Sequence, residues 1–146
     1  MYRSSFLSVV PVLCFYSLFF APIHSHASTP SSATLGPTNG ASASWAGSGV
    51  AGATTDETTC VNGVDCDIFT ITLSGSPADY ANLVLSIQVG WKLGANDYDV
   101  YVHKGDVTGP VVASSTDGIP GVSESIVINP NAMGLGSTLF MWWIRQ

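Results

Sequence analysis

Positive charge is what this sequence has least of. Four of its 146 residues are Lys or Arg, against ten Asp or Glu. One of the four, Arg3, stands at the extreme N-terminus, so Lys92, Lys104 and Arg145 face all ten acids over the rest of the chain. Such a balance gives no footprint for a phosphate backbone, which excludes nucleic acid as a partner. It also gives no polybasic patch for anionic lipid. Catalytic signatures are missing as well. There is no G-x-S-x-G elbow, no H-E-x-x-H pair and no phosphate-cradling G-x-x-x-x-G-K-[ST]. Past residue 27 a single histidine remains, His103, and a nucleophilic triad would have to use it as base without the serine elbow such a triad needs. A stand-alone enzyme is not the expected reading.

Long apolar runs are scarce too, and the leading one looks like an address. Arg3 precedes an almost wholly apolar stretch from Phe6 to Ala21, and Ser25-His26-Ala27 follows with small residues where a signal peptidase reads. Cleavage after Ala27 is expected. The competing reading, an uncleaved membrane anchor, wants about 20 apolar residues, and Pro11 and Pro22 shorten what is available. The exported chain would then span residues 28–146, enough for one domain, and would have no membrane partner once the leader is gone. Secretion to an extracellular or periplasmic compartment follows.

Cysteine is sparse. Of three, Cys14 lies in the leader, and Cys60 and Cys66 remain in "CVNGVDC", flanking an Asn-Gly turn. An even pair in an oxidising compartment predicts a disulfide closing a small loop. Zinc is the weaker alternative, because two thiols lack the further ligands that a zinc site takes.

Residues 28–40, "STPSSATLGPTNG", are small and polar with two prolines and predict a flexible leader to a domain over 41–146. Trp45 is the first large residue expected to bury. Beyond it, period-two segments alternate with turn signals. In Asp67–Leu73, Phe69, Ile71 and Leu73 share one face, opposite Ile68, Thr70 and Thr72. In Leu83–Trp91, Leu83, Leu85, Ile87, Val89 and Trp91 share a face opposite Val84, Ser86, Gln88 and Gly90. Asp97–His103 sets Tyr98, Val100 and Val102 against Asp97, Asp99, Tyr101 and His103. Shorter strands are expected at Pro110–Ser115 and Val122–Asn129, and Pro77–Asn82 has the length of a single helical turn. The predicted fold is all-β, an antiparallel β-sandwich.

"CDIFTITL", an alternating strand ending in Trp91, "NDYDVYVHKGD", "VVASS" and "SESIVINP" follow one another in order. Together they resemble the bacterial pre-peptidase C-terminal domain over about Trp45–Pro130. The match is carried by Asp97, Tyr98, Asp99, Val100, Tyr101 and Val102 in its aspartate-framed strand, by Ala113–Ser115, and by Ser123–Ile126. The resemblance implies a small jelly-roll-like sandwich appended to exported proteins, and an accessory role in their stability, adhesion or processing. Some relatives bind calcium, collagen-like chains or polysaccharide. The chain departs from the family at its end. Where the family closes on G-T-Y-x-V-x-V, this chain has "GSTLFMWWIRQ", apolar at five successive positions from Phe140 to Ile144. Alternation fails there, so an incomplete last strand from a truncated or frame-shifted end is expected, with an exposed edge.

The candidate sites lie in Asn96–Asp106. Asp97 and Asp99 share one strand face, about 6.5–7 Å apart along the backbone. Scaffolding is the leading reading, since Asp and Asn tie down turns by bonding backbone N–H groups. Calcium is the candidate cofactor, with Asn96, Asp97, Asp99 and Asp106 as its ligands, although the ion takes six to eight oxygens. A glycosidase pair would need carboxylates on facing elements, which one strand does not give. Tyr101, pointing outward, is the candidate for stacking on a ligand. The function expected is thus a secreted, non-catalytic accessory module. The alternatives are a calcium-dependent module binding extracellular polysaccharide or protein, and a fragment of a secreted hydrolase.

Overall fold

The computed structural model describes residues 28–47 and 57–145, so the expected signal segment lies outside the described residues. These form β1 (Ser32–Leu35), β2 (Cys66–Leu73), β3 (Leu85–Gly90), β4 (Asp97–Lys104), β5 (Val111–Ser115), β6 (Ser123–Ile128), the single helical turn α1 (Pro130–Met133) and β7 (Gly136–Arg145). Short 3-10 turns cover Glu57–Thr59 and Pro77–Tyr80, the second where one helical turn is expected. One sheet has the order β1-β2-β7-β4-β5, and β3 pairs with β6 in a second. Every pairing is antiparallel except β1 with β2. The all-β prediction holds.

Alternation decides which faces meet. In β2, Phe69, Ile71 and Leu73 are buried while Ile68, Thr70 and Thr72 are half-buried. In β3, Ile87 and Val89 are buried, and in β6 so are Glu124, Ile126 and Ile128, with exposed residues between them. Cross-strand register sets Val89 against Glu124, Ile87 against Ile126 and Leu85 against Ile128, so the small sheet has one apolar side. That side joins Phe69, Ile71, Tyr98, Val100 and Val102 of the larger sheet in one core. Trp45 stacks on Phe69 with ring centroids 4.3 Å apart and planes 8° from parallel. Offset aromatic contact of this kind adds to the area both rings bury. The Tyr80 hydroxyl reaches the Ser74 carbonyl at 2.6 Å and that of Leu35 at 3.1 Å, tying the 3-10 turn to the ends of β2 and β1.

The chain departs from its sequence-based expectation at both ends. Ser32–Leu35, inside the stretch predicted as a flexible leader, is a strand in parallel register with Thr70–Leu73. Ala33 and Leu35 alternate with Ser32 and Thr34 and turn toward the core beside Ile71 and Leu73, but four residues inside a Ser/Thr/Pro/Gly-rich stretch are too short a run for that alternation to stand out. The last strand is not an exposed edge. β7 runs ten residues, paired with Cys66–Leu73 on one side and with Asp97–Lys104 on the other. It sits in the middle of the sheet, so the sheet's edges are β1 and β5. Two residues in register with Trp143, Cys66 of β2 and Asp99 of β4, are both buried although they belong to the sheet's outer face. The outer face is therefore not uniformly wet, as a two-layer sandwich would have it.

Candidate functional site

β4 carries the sequence-derived candidates. Tyr98, Val100 and Val102 face the core as expected. The opposite row alternates between half-buried Asp97 and Tyr101 and buried Asp99 and His103. Asp99 is 4% exposed and His103 1%, although a lone histidine on a polar strand face is ordinarily a surface residue. The Cys60–Cys66 bridge packs against Tyr101, which stands between Asp99 and His103 in this row.

The disulfide forms as predicted, with Cα atoms 5.7 Å apart. Its loop is held from within. The Val61 N–H donates to Asp65 Oδ1 at 2.6 Å, the Gly63 N–H to the Cys66 carbonyl at 2.7 Å, and the Ile68 N–H to Asn62 Oδ1 at 3.0 Å. Gly63 has φ 79°, the left-handed conformation that the Asn-Gly turn requires. Around Cys66 gather Cys60, Ile68, Tyr101 and Val107. Tyr101 is accordingly half-buried against the disulfide rather than presented as an open stacking platform.

The proposed calcium ligands are not brought together. Asn96 and Asp97 stand at the start of β4 and Asp106 beyond its end, so the eight-residue strand separates them, a length of about 23 Å at strand rise. Asn96 donates its side-chain amide to the Tyr98 hydroxyl at 3.1 Å, and its carbonyl accepts from the Trp91 indole at 3.1 Å. Asp106 accepts from both the backbone N–H (2.9 Å) and the hydroxyl (2.7 Å) of Thr108, bonds that hold its carboxyl below the usual carboxylate range. The same turn fixes His103, whose Nδ1 lies 2.9 Å from the Gly109 carbonyl, so Nδ1 carries the proton that this acceptor needs. Among the described residues, Cys60, Asp65 and Cys66 are the one trio of His, Cys, Asp or Glu close enough to share an ion, and both thiols are consumed by the disulfide. One carboxylate oxygen of Asp97 is buried without a hydrogen-bond partner among the described residues; in the ladder Asp97 stands opposite Arg145.

Further acidic residues hold backbone turns. Glu124, 2% exposed, accepts from the Ser115 hydroxyl and from the Asp117 N–H at 2.9 Å. Asp79 accepts from the backbone and hydroxyl of Ser76, each at 2.8 Å, which lowers its pKa from the ordinary 3.8. Sequence reasoning missed the roles of Glu124 and of Asp67, which accepts the Ser28 backbone N–H at 2.6 Å, because each partner lies across a loop or far along the chain. It also missed two clefts. One of about 190 Å³ lies among Leu35, Asn39, Tyr80, Asn82 and Leu83, and one of about 380 Å³ lies beside Trp45, Gln88 and Val89. None of Asn96, Asp97, Asp99, Tyr101 or Asp106 lines either. No helix among the described residues is long and apolar enough to cross a membrane. Comparison of the chain with protein-family models, with curated proteins and with solved structures returns no match.

Proposed function

We propose that this chain is a secreted accessory module, a jelly-roll-like β-sandwich of the pre-peptidase C-terminal kind, whose acidic side chains hold loops rather than a substrate. The observation that carries the reading is the Glu124 carboxylate. It takes the Ser115 hydroxyl and the Asp117 N–H, and so joins "VVASS" to "SESIVI", the two later segments of the resemblance, as one piece of scaffolding. Asp106 and Asp79 are engaged in the same way at exposed turns. Carboxylates engaged like this stabilise a fold by satisfying backbone donors. The disulfide is compatible with an oxidising, extracellular location.

An accessory module acts on the protein it is joined to. Fused behind a monomeric secreted hydrolase, it should lengthen that enzyme's half-life under proteolysis, or retain it on insoluble polysaccharide, with kcat unchanged. Turnover of model ester, glycoside or peptide substrates by the isolated exported chain would sink the reading and favour the hydrolase fragment.

A further inference from the structure

Asp67 heads the inner row of β2, ahead of Phe69, Ile71 and Leu73, and is 1% exposed. A carboxylate in that position is costly unless charge and hydrogen bonds meet it. Ser28 supplies two donors to a single oxygen. Its backbone nitrogen lies 2.6 Å from Asp67 Oδ1, and its hydroxyl donates to the same atom. Ser28 is itself buried, at 4% exposed, 39 residues from its partner along the chain.

What fixes Ser28 comes after it in the sequence. Thr29 and Ala46 exchange backbone hydrogen bonds of 2.8 and 3.0 Å, Thr70 donates its N–H to the Ser31 carbonyl at 3.0 Å, and β1 then runs beside β2. The nitrogen of Ser28 is therefore delivered to Asp67 by residues 29–35 and 46, whatever precedes it. The bond preceding it, Ala27–Ser28, is the one that the Ser25-His26-Ala27 pattern marks for a signal peptidase.

We infer that leader removal at Ala27–Ser28 turns this contact into a buried ion pair between the new N-terminus and Asp67, so that processing itself tightens the fold. The chemistry is hydrolysis by the leader-removing endopeptidase. The Ala27–Ser28 C–N bond breaks, the oxygen of water bonds to the Ala27 carbonyl carbon to leave a carboxylate, and the Ser28 nitrogen takes up protons to become an ammonium. One neutral N–H donor is replaced by three donors and a full positive charge, already at the length of a charge-assisted hydrogen bond. The Ser28 hydroxyl keeps its own bond to the same oxygen and orients the terminus. The precursor and the processed chain thus differ in stability through one contact.

This docking rests on the export reading, because export supplies the cleavage, and the two are separable by experiment. The exported protein is purified and its intact mass measured. It is then compared by urea unfolding with an exported variant carrying two glycines inserted between Ala27 and Ser28, each with and without Asp67→Asn. The mass should correspond to a chain starting at Ser28. The insertion should lower the folded-to-unfolded ratio about ten- to a hundredfold, the scale of a hydrogen bond to a charged group, and should do little in the Asp67→Asn background. If Asp67→Asn does not fold, acylation of the α-amine at neutral pH serves instead, and the folded chain should label far more slowly than the urea-unfolded one. A retained leader, or a start elsewhere, would overturn both export at this bond and the docking. A start at Ser28 with unchanged stability, an equal effect in both backgrounds, or rapid labelling of the folded chain would overturn the docking alone.

Discussion

Ser115 donates its hydroxyl to the carboxylate of Glu124, binding the end of β5 to the start of β6 across nine residues. The same carboxylate takes the N–H of Asp117 in the intervening turn, so one buried group organises the whole connection. Glu124→Ala should strip both donors of their acceptor and cost about 1–3 kcal/mol, the penalty for orphaned polar groups. Glu124→Gln keeps the length and one acceptor and should cost less. Urea midpoints of the two variants provide the check, and equal losses would mean that volume rather than hydrogen bonding matters at this position.

The Cys60–Cys66 bridge closes a short loop and removes correspondingly little chain entropy. Its reduction should cost about 2–3 kcal/mol on the loop-closure account, without unfolding the domain. It should also loosen the cover over Tyr101, which packs against the bridge. Thiol titration of unreduced exported protein should find no reactive cysteine. Tyr101 fluorescence quenching should rise on reduction.

Calcium should not stabilise the folded chain. Asn96 and Asp97 are separated from Asp106 by the length of β4, and Asp106 is already occupied with Thr108. A ligand bound only to the native state raises the melting temperature by mass action. Melting curves in millimolar calcium and in chelator should therefore coincide. Asp99→Ala should lower both to the same extent, because Asp99 is buried and its loss is felt with or without the ion. A rise of several degrees with calcium in wild type, absent in Asp99→Ala, would restore the ion site.

Acid should weaken the fold in a predictable window. Hydrogen bonds from Ser76 and from Thr108 lower the pKa of Asp79 and Asp106 from the ordinary 3.8. A depressed carboxylate contributes stability above its unfolded value and loses that contribution as pH falls through its folded value. The Asp79 and Asp106 contributions should therefore be intact at neutral pH and fade from about pH 4 downward. Asp106→Asn keeps a side-chain acceptor but cannot titrate, so its stability should fall less steeply below pH 4 than that of wild type. Parallel curves for the two proteins would count against this assignment.

The all-β class, the core faces of β2 and β3, and the disulfide were legible along the chain because each is a local property. Alternation in "DIFTITL" and "LVLSIQVGW" needs only the period of a strand, and "CVNGVDC" needs only a turn and a compartment. The destination of β7 was not legible. "FMWWI" lacks alternation, yet its backbone pairs with β2 on one side and β4 on the other, in the middle of the larger sheet. Burial of His103 was hidden because a polar strand face is dry when other parts of the chain lie over it. β1 was hidden because its alternation, Ala33 and Leu35 against Ser32 and Thr34, lasts only four residues within a Ser/Thr/Pro/Gly-rich stretch. Asp67 meets Ser28 only after the chain folds back through 39 residues. Sequence by itself determined which residues turn toward a core. Tertiary packing decided which polar faces keep water, because that depends on what the rest of the chain lays over them.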